Sequence, residues 1–134
     1  MLMATARPED PADIVAPVLD LYTDPEEATR DEIKPVVPTL SYEERLAIIS
    51  EALLSEYPDV INDATVQLQA LSNRDAMDAL IGGLNNVNPQ LRADINDTIH
   101  HLIGVRFRDT ESGLAYWQKN QDRYDERLLE RLDP

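Results

Sequence analysis

Residues 73–104 read NRDAMDALIGGLNNVNPQLRADINDTIHHLIG, and their periodicity decides the fold. Met77, Leu80, Ile81 and Leu84 recur at steps of three and four, which places them on one face of an α-helix. Asn73 stands where a side-chain oxygen can cap the free N–H groups of the first turn. After a polar run, Asn88 offers a second cap, and Pro89 brings the fixed φ that suits a first helical position. Leu91, Ile95, Ile99, Leu102 and Ile103 resume the helical step, and Gly104 can take the left-handed conformation that ends many helices. Two helices joined by so short a connection are expected to lie side by side as antiparallel neighbours.

Upstream, the same grammar repeats. Ser41 and Glu44 have capping-box spacing, and Tyr42, Leu46, Ile49, Leu53 and Tyr57 follow at helical steps. Pro58 ends that helix and can open the next, which carries Val60, Ile61, Ala64, Leu68 and Leu71. Residues 41–104 therefore read as two helix pairs. Pro58 and Pro89 recur at an interval of about 30 residues, a period typical of stacked helical repeats.

Downstream, 110–132 is predicted to be one further amphipathic helix. Trp117, Tyr124, Leu128 and Leu132 share a face, with Asp122, Glu126 and Glu130 nearly opposite. Arg123, Arg127 and Arg131 run at i, i+4 beside the apolar stripe. Trp117, Tyr124, Arg123, Arg127, Leu128 and Arg131 are thus the candidate partner-binding residues. Three arginines along an apolar stripe suit an acidic surface on the same molecule, on a second copy or on another protein. Before residue 41 the texture differs. Prolines stand at 8, 11, 17, 25, 35 and 38, each removing a backbone donor and disfavouring helix at the preceding residue. Residues 1–40 are expected to be an extended arm with short helical pieces near 11–21 and 25–33, and 41–134 the helical domain. Removing 1–38 should then leave 41–132 folded.

The run from Ala76 to Arg92, AMDALIGGLNNVNPQLR, resembles a HEAT repeat: a first helix, a polar turn, and a Pro-x-aliphatic-Arg start to the second helix. The stretch through Phe107 and Tyr116-Trp117-Gln-Lys-Asn120 is similar to the way some bacterial HEAT-like domains close. The resemblance implies an all-α fold, a short right-handed α-solenoid of antiparallel helix pairs. It also implies that Asn86 and Arg92 support stacking between repeats. In the first pair Ile61 stands where the arginine would be, so that pair is either a repeat or a cap. Folds of this kind mostly present binding surfaces.

Composition narrows the chemistry. The 134 residues include 26 acidic and 12 basic side chains, a formal charge of −14. Such a field repels phosphate backbones and anionic lipid headgroups, so neither direct nucleic-acid binding nor membrane insertion is expected. There is no cysteine, which excludes disulfides and thiolate metal sites. No run approaches a membrane span, the N-terminus lacks the pattern of a signal peptide, and the cytoplasm is the expected location. His100-His101 with Asp97 and Asp94 on one helix is the sole metal-like constellation, and it offers an incomplete shell. Gly82-Gly83 lies within a helical pattern, where close packing is its simplest meaning. No serine sits in a nucleophile-elbow context. No catalytic residue, metal site or cofactor is expected. The leading expectation is a non-catalytic interaction or assembly module binding a protein partner or a second copy. An acidic decoy of nucleic acid is the alternative, with a small metal-binding or catalytic domain behind it.

Overall fold

A computed structural model describes residues 12–132. Within that range the chain forms seven α-helices and no strand: α1 Ala12–Tyr22, α2 Glu27–Ile33, α3 Tyr42–Ala52, α4 Pro58–Gln67, α5 Asn73–Gly82, α6 Pro89–Ile103 and α7 Thr110–Asn120. Short 3-10 segments, Lys34–Thr39, Leu68–Ala70, Gly83–Asn85, Gln121–Arg123 and Leu128–Leu132, extend or follow them. The all-α class read from periodicity is what the described residues adopt. None of these helices is long and apolar enough to cross a membrane.

Local chemistry sets the boundaries. Ser41 caps α3 in a full capping box: its side chain accepts from the Glu44 N–H, and the Glu44 carboxylate accepts from the Ser41 N–H. Asn88 accepts from the N–H groups of Gln90 and Leu91 at the start of α6, with Pro89 as its first residue. Gly104 ends α6 at φ 77°, the left-handed region that favours glycine. The cap of α5 is Ser72 and not Asn73: its hydroxyl accepts from the Asp75 N–H, and Asn73 becomes the first helical residue.

One aliphatic core runs through the molecule. Most positions expected to face inward between 41 and 104 do so: Ile49, Leu53, Val60, Ile61, Leu68, Met77, Leu80, Ile81, Leu91, Ile95, Ile99 and Leu102 are buried, while Leu46 and Tyr57 are half-buried and Tyr42 is exposed. Helix α3 packs on α1, α4 and α5, and α5 packs on α6 and α7. The odd-numbered helices thus form a row, with α4 and α6 against their backs.

Two expectations need correction. The stretch before residue 41 forms the two expected helical pieces, α1 and α2, and adds the 3-10 segment Lys34–Thr39, but it is not an extended arm. Its Tyr22 is fully buried and belongs, with Val37, to the same core as the later helices. The piece expected near 11–21 forms as α1 and continues through Pro17, which lies on its exposed side; proline spacing does not register that these helices pack into the core. Residues 1–11 of the expected arm lie outside the described range. The second correction concerns 110–132, which is not one helix. α7 stops at Asn120, and Leu128–Leu132 returns as a 3-10 turn against α6 and the 68–70 segment. Asn120 and Asp125 compete for backbone hydrogen bonds in this run. Asn120 Nδ2 donates to the Tyr116 carbonyl, and Asp125 Oδ1 accepts from the Arg127 N–H. Turning back buries Leu128 and Leu129, which a straight helix running past the body would leave in water.

Candidate functional site

The break after Asn120 disperses the residues expected to share a binding face. Trp117 is 2% exposed and Leu128 1%, so both are core. The Tyr124 ring lies 5.6 Å from the indole of Trp117, and its hydroxyl is 2.9 Å from that of Tyr116. Burial first, then the hydrogen bond with Tyr116, raises the Tyr124 hydroxyl above its usual range. The arginines form no stripe. Arg123 donates to Asn120, Arg127 pairs with Glu130, and Arg131 donates to the Leu102 carbonyl at 2.8 Å. The Arg131 contact, with buried Leu128 and Leu129, closes the C-terminal end on the body; those of Arg123 and Arg127 are local.

Of the histidine pair, His101 is committed elsewhere. His101 Nε2 donates to the Arg131 carbonyl at 2.7 Å, and Asp97 pairs with Arg106 at 3.1 Å. Among the described residues no group of three or more His, Asp or Glu side chains converges in a way that would hold a metal ion.

Several residues that periodicity did not single out hold the helices together. Arg30, 6% exposed, donates through Nε and Nη2 to both oxygens of Asp59, at 3.1 and 3.0 Å. Its Nη1 reaches the carbonyls of Asp24 and Pro25, and its guanidinium lies 4.1 Å over the Tyr57 ring. Lys34 reaches Asp59 at 2.9 Å. Burial alone would raise the Asp59 carboxyl, but the hydrogen bonds from Arg30 and Lys34 prevail and hold it below the ordinary range. Beside this cluster Tyr22 donates to Asp63, which also accepts from Gln67. Burial first and the Asp63 carboxylate second push the Tyr22 hydroxyl far above its normal value.

Asn86 is 1% exposed, and its amide joins two consecutive turns. Nδ2 donates to the carbonyls of Leu53 and Ser55, at 3.1 and 2.9 Å, while Oδ1 accepts from the Asn88 N–H. Arg92 in turn donates to the Asn86 carbonyl at 3.1 Å. At the other end of the same two helices, the Tyr42 hydroxyl donates to Asp75 at 2.6 Å and accepts from the Ser72 N–H. α3 and α5 are therefore tied at both ends.

Between those ties lies the surface with the strongest claim to function. A groove of about 410 Å3 runs between α3 and α5, lined on one side by Leu46, Ser50, Glu51 and Leu54. Asp75, Asp78, Ala79, Gly82 and Asn85 line the other. Leu46, Ser50 and Glu51 lie on one face of α3 and Asp75, Asp78, Ala79 and Gly82 on one face of α5, with Leu54 and Asn85 just past the two helix ends. A second groove, of about 360 Å3 between α1 and α3, shares Glu51 and Leu54 and adds Leu19, Glu56 and Tyr57. Leu54, 39% exposed, stands where the two meet. No lysine or arginine lines either groove. Among the described residues, Glu51, Glu56, Asp75 and Asp78 take part in no ion pair. Arg74, one turn before Asp78, donates instead to Gln121. Burial, reinforced by the charge of Asp75, raises the Asp78 carboxyl above its ordinary value.

A larger groove, about 560 Å3, lies between the start of α5 and the C-terminal turn. Its apolar members Leu71 and Leu129 are already buried, so it offers a partner little to cover. No family model, curated protein or solved structure matches this chain.

Proposed function

We propose that the chain is a non-catalytic interaction module: a short stack of helix pairs whose outer surface binds protein. The observation that carries this is the double groove across α1, α3 and α5, with half-exposed Leu54 at its centre and carboxylates along its rim. A rigid helical body displaying a partly apolar channel is the arrangement that helical repeat folds use for recognition. In this reading the pairs α1/α2, α3/α4 and α5/α6 are HEAT-like units of a right-handed solenoid. α7 and the C-terminal turn close it, and the setting is cytoplasmic. Two details support the repeat. Asn86 bonds to the carbonyls of Leu53 and Ser55 in the preceding pair, and Arg92, at the start of α6, holds the Asn86 turn. Arg30 reaches back to the carbonyl six residues earlier, as Arg92 does.

The experiment is a comparison of the purified chain alone and in extract of its source cells, by light scattering and native mass spectrometry. A defined dimer, or a companion protein at fixed stoichiometry, is expected. A monomer that takes up no companion overturns the reading.

A further inference from the structure

We infer that the α3/α5 groove seats a basic amphipathic helix of a partner protein. This rests on the reading of the chain as a protein-binding module and names the surface and its ligand.

The occupant's chemistry follows from the walls. The floor is aliphatic, formed by Leu46, Leu54 and Ala79 with Gly82 leaving a gap beside them. A Cβ added at Gly82 would meet nothing within 4 Å, so space is open there for another side chain. The rim is acidic on both sides, with Glu51 facing Asp75 and Asp78 across the channel. A few carboxylates of the chain are matched by its own cations, Asp59 with Arg30 and Lys34, Asp97 with Arg106, Asp109 with Arg108. Along the groove Glu51, Asp75 and Asp78 take part in no ion pair, and the charge of Arg74 offsets the burial of Asp78 only in part. A cation laid against Asp78 would relieve a carboxylate whose charge is opposed by burial and by its neighbour Asp75.

Shape selects a helix. The lining runs over about two turns of each wall, roughly 12–15 Å at 1.5 Å per residue. That length fits an apolar stripe of three or four side chains at i, i+3, i+4 and i+7. The described residues include no strand, so edge-pairing of an extended segment has no template here. Lysines or arginines flanking the stripe would then fall over Glu51 on one side and Asp75 and Asp78 on the other.

The probe is a fluorescein-labelled Leu/Lys peptide with leucines at helical spacing. It is compared by anisotropy with a scrambled peptide of the same composition, which cannot gather its leucines on one face. The full chain should bind the first at least about tenfold more tightly than the second, the scale of one well-buried apolar contact. Glu51→Gln with Asp78→Asn, or Leu54→Ser alone, should weaken binding about tenfold. Glu32→Gln with Asp122→Asn removes equal charge from exposed positions off the groove and should change it less than about twofold. Circular dichroism of each variant checks that it remains folded; Leu54 is half-exposed, and the double variants alter surface groups only. Equal binding of the two peptides, or equal losses in the two double variants, reduces the effect to diffuse attraction and overturns the groove. A companion protein whose recovery is untouched by the Leu54 and Asp78 variants also overturns it while leaving the module reading in place. No companion and no peptide binding removes both.

Discussion

Single side chains decide how close the helices of this stack can lie. At Gly113, α7 approaches so nearly that an added Cβ would stand 2.6 Å from Ile81 Cγ2 and 3.0 Å from Phe107 Cδ2. Gly113→Ala should therefore destabilise the chain by about 1–3 kcal/mol, the range for overpacking a filled interior, read as a lower urea midpoint. Gly82→Ala is the contrast. It adds a methyl to open space on a right-handed backbone and should stabilise by about 0.5–1 kcal/mol. Asn86 is the corresponding polar case. Truncating it to alanine leaves the buried turn carbonyls of Leu53 and Ser55 without their donor, costing about 1–3 kcal/mol. Urea denaturation of Asn86→Ala beside Asn86→Asp separates loss of the amide from loss of volume.

At the scale of elements, the chain shows which boundaries local chemistry governs. The capping box at Ser41, the Asn88-Pro89 start and the terminal Gly104 are encoded within a few residues, and all three were legible before any coordinates. The end of α7 was not. Trp117, Tyr124, Leu128 and Leu132 keep helical spacing, yet burial of Leu128 and Leu129 against α6 outweighs continuing the helix past Asn120. Periodicity cannot register a competition between a local helix and a distant surface. The same blindness hid Arg30, whose burial depends on Asp59, a residue 29 positions away. The acidic groove escaped notice because it is assembled from two helices, and neither alone distinguishes its carboxylates from a solvated face. Tyr22 and Val37 make the first helices part of the core, so a chain starting at residue 41 should lose cooperative unfolding or melt at a markedly lower temperature. Thermal circular dichroism checks this. An unchanged melt would restore the boundary at residue 40.

For the molecule as a whole, acid is the informative stress. Asp59 is held below the ordinary carboxylate range by Arg30 and Lys34 once their hydrogen bonds outweigh its burial. The native state therefore releases this proton more readily than the unfolded chain does. The stabilisation is complete above about pH 4, the unfolded value, and disappears as pH falls through the lower native value. Wild type should exceed Asp59→Asn in urea midpoint near neutrality, and the gap should narrow as pH drops below about 4. A gap that stays constant to about pH 3 would show that the Arg30 cluster contributes through shape and not through charge.

The two ties spanning α3 and α5, phenol to carboxylate at one end and amide to paired carbonyls at the other, fix the gauge of the channel between them. A slot clamped like this does not breathe to admit bulk. A visiting chain must arrive with the right girth or distort itself, so tryptophan in place of leucine on the visitor should be refused on size alone. Cutting the clamp at Tyr42 with phenylalanine should make the channel more forgiving and less selective.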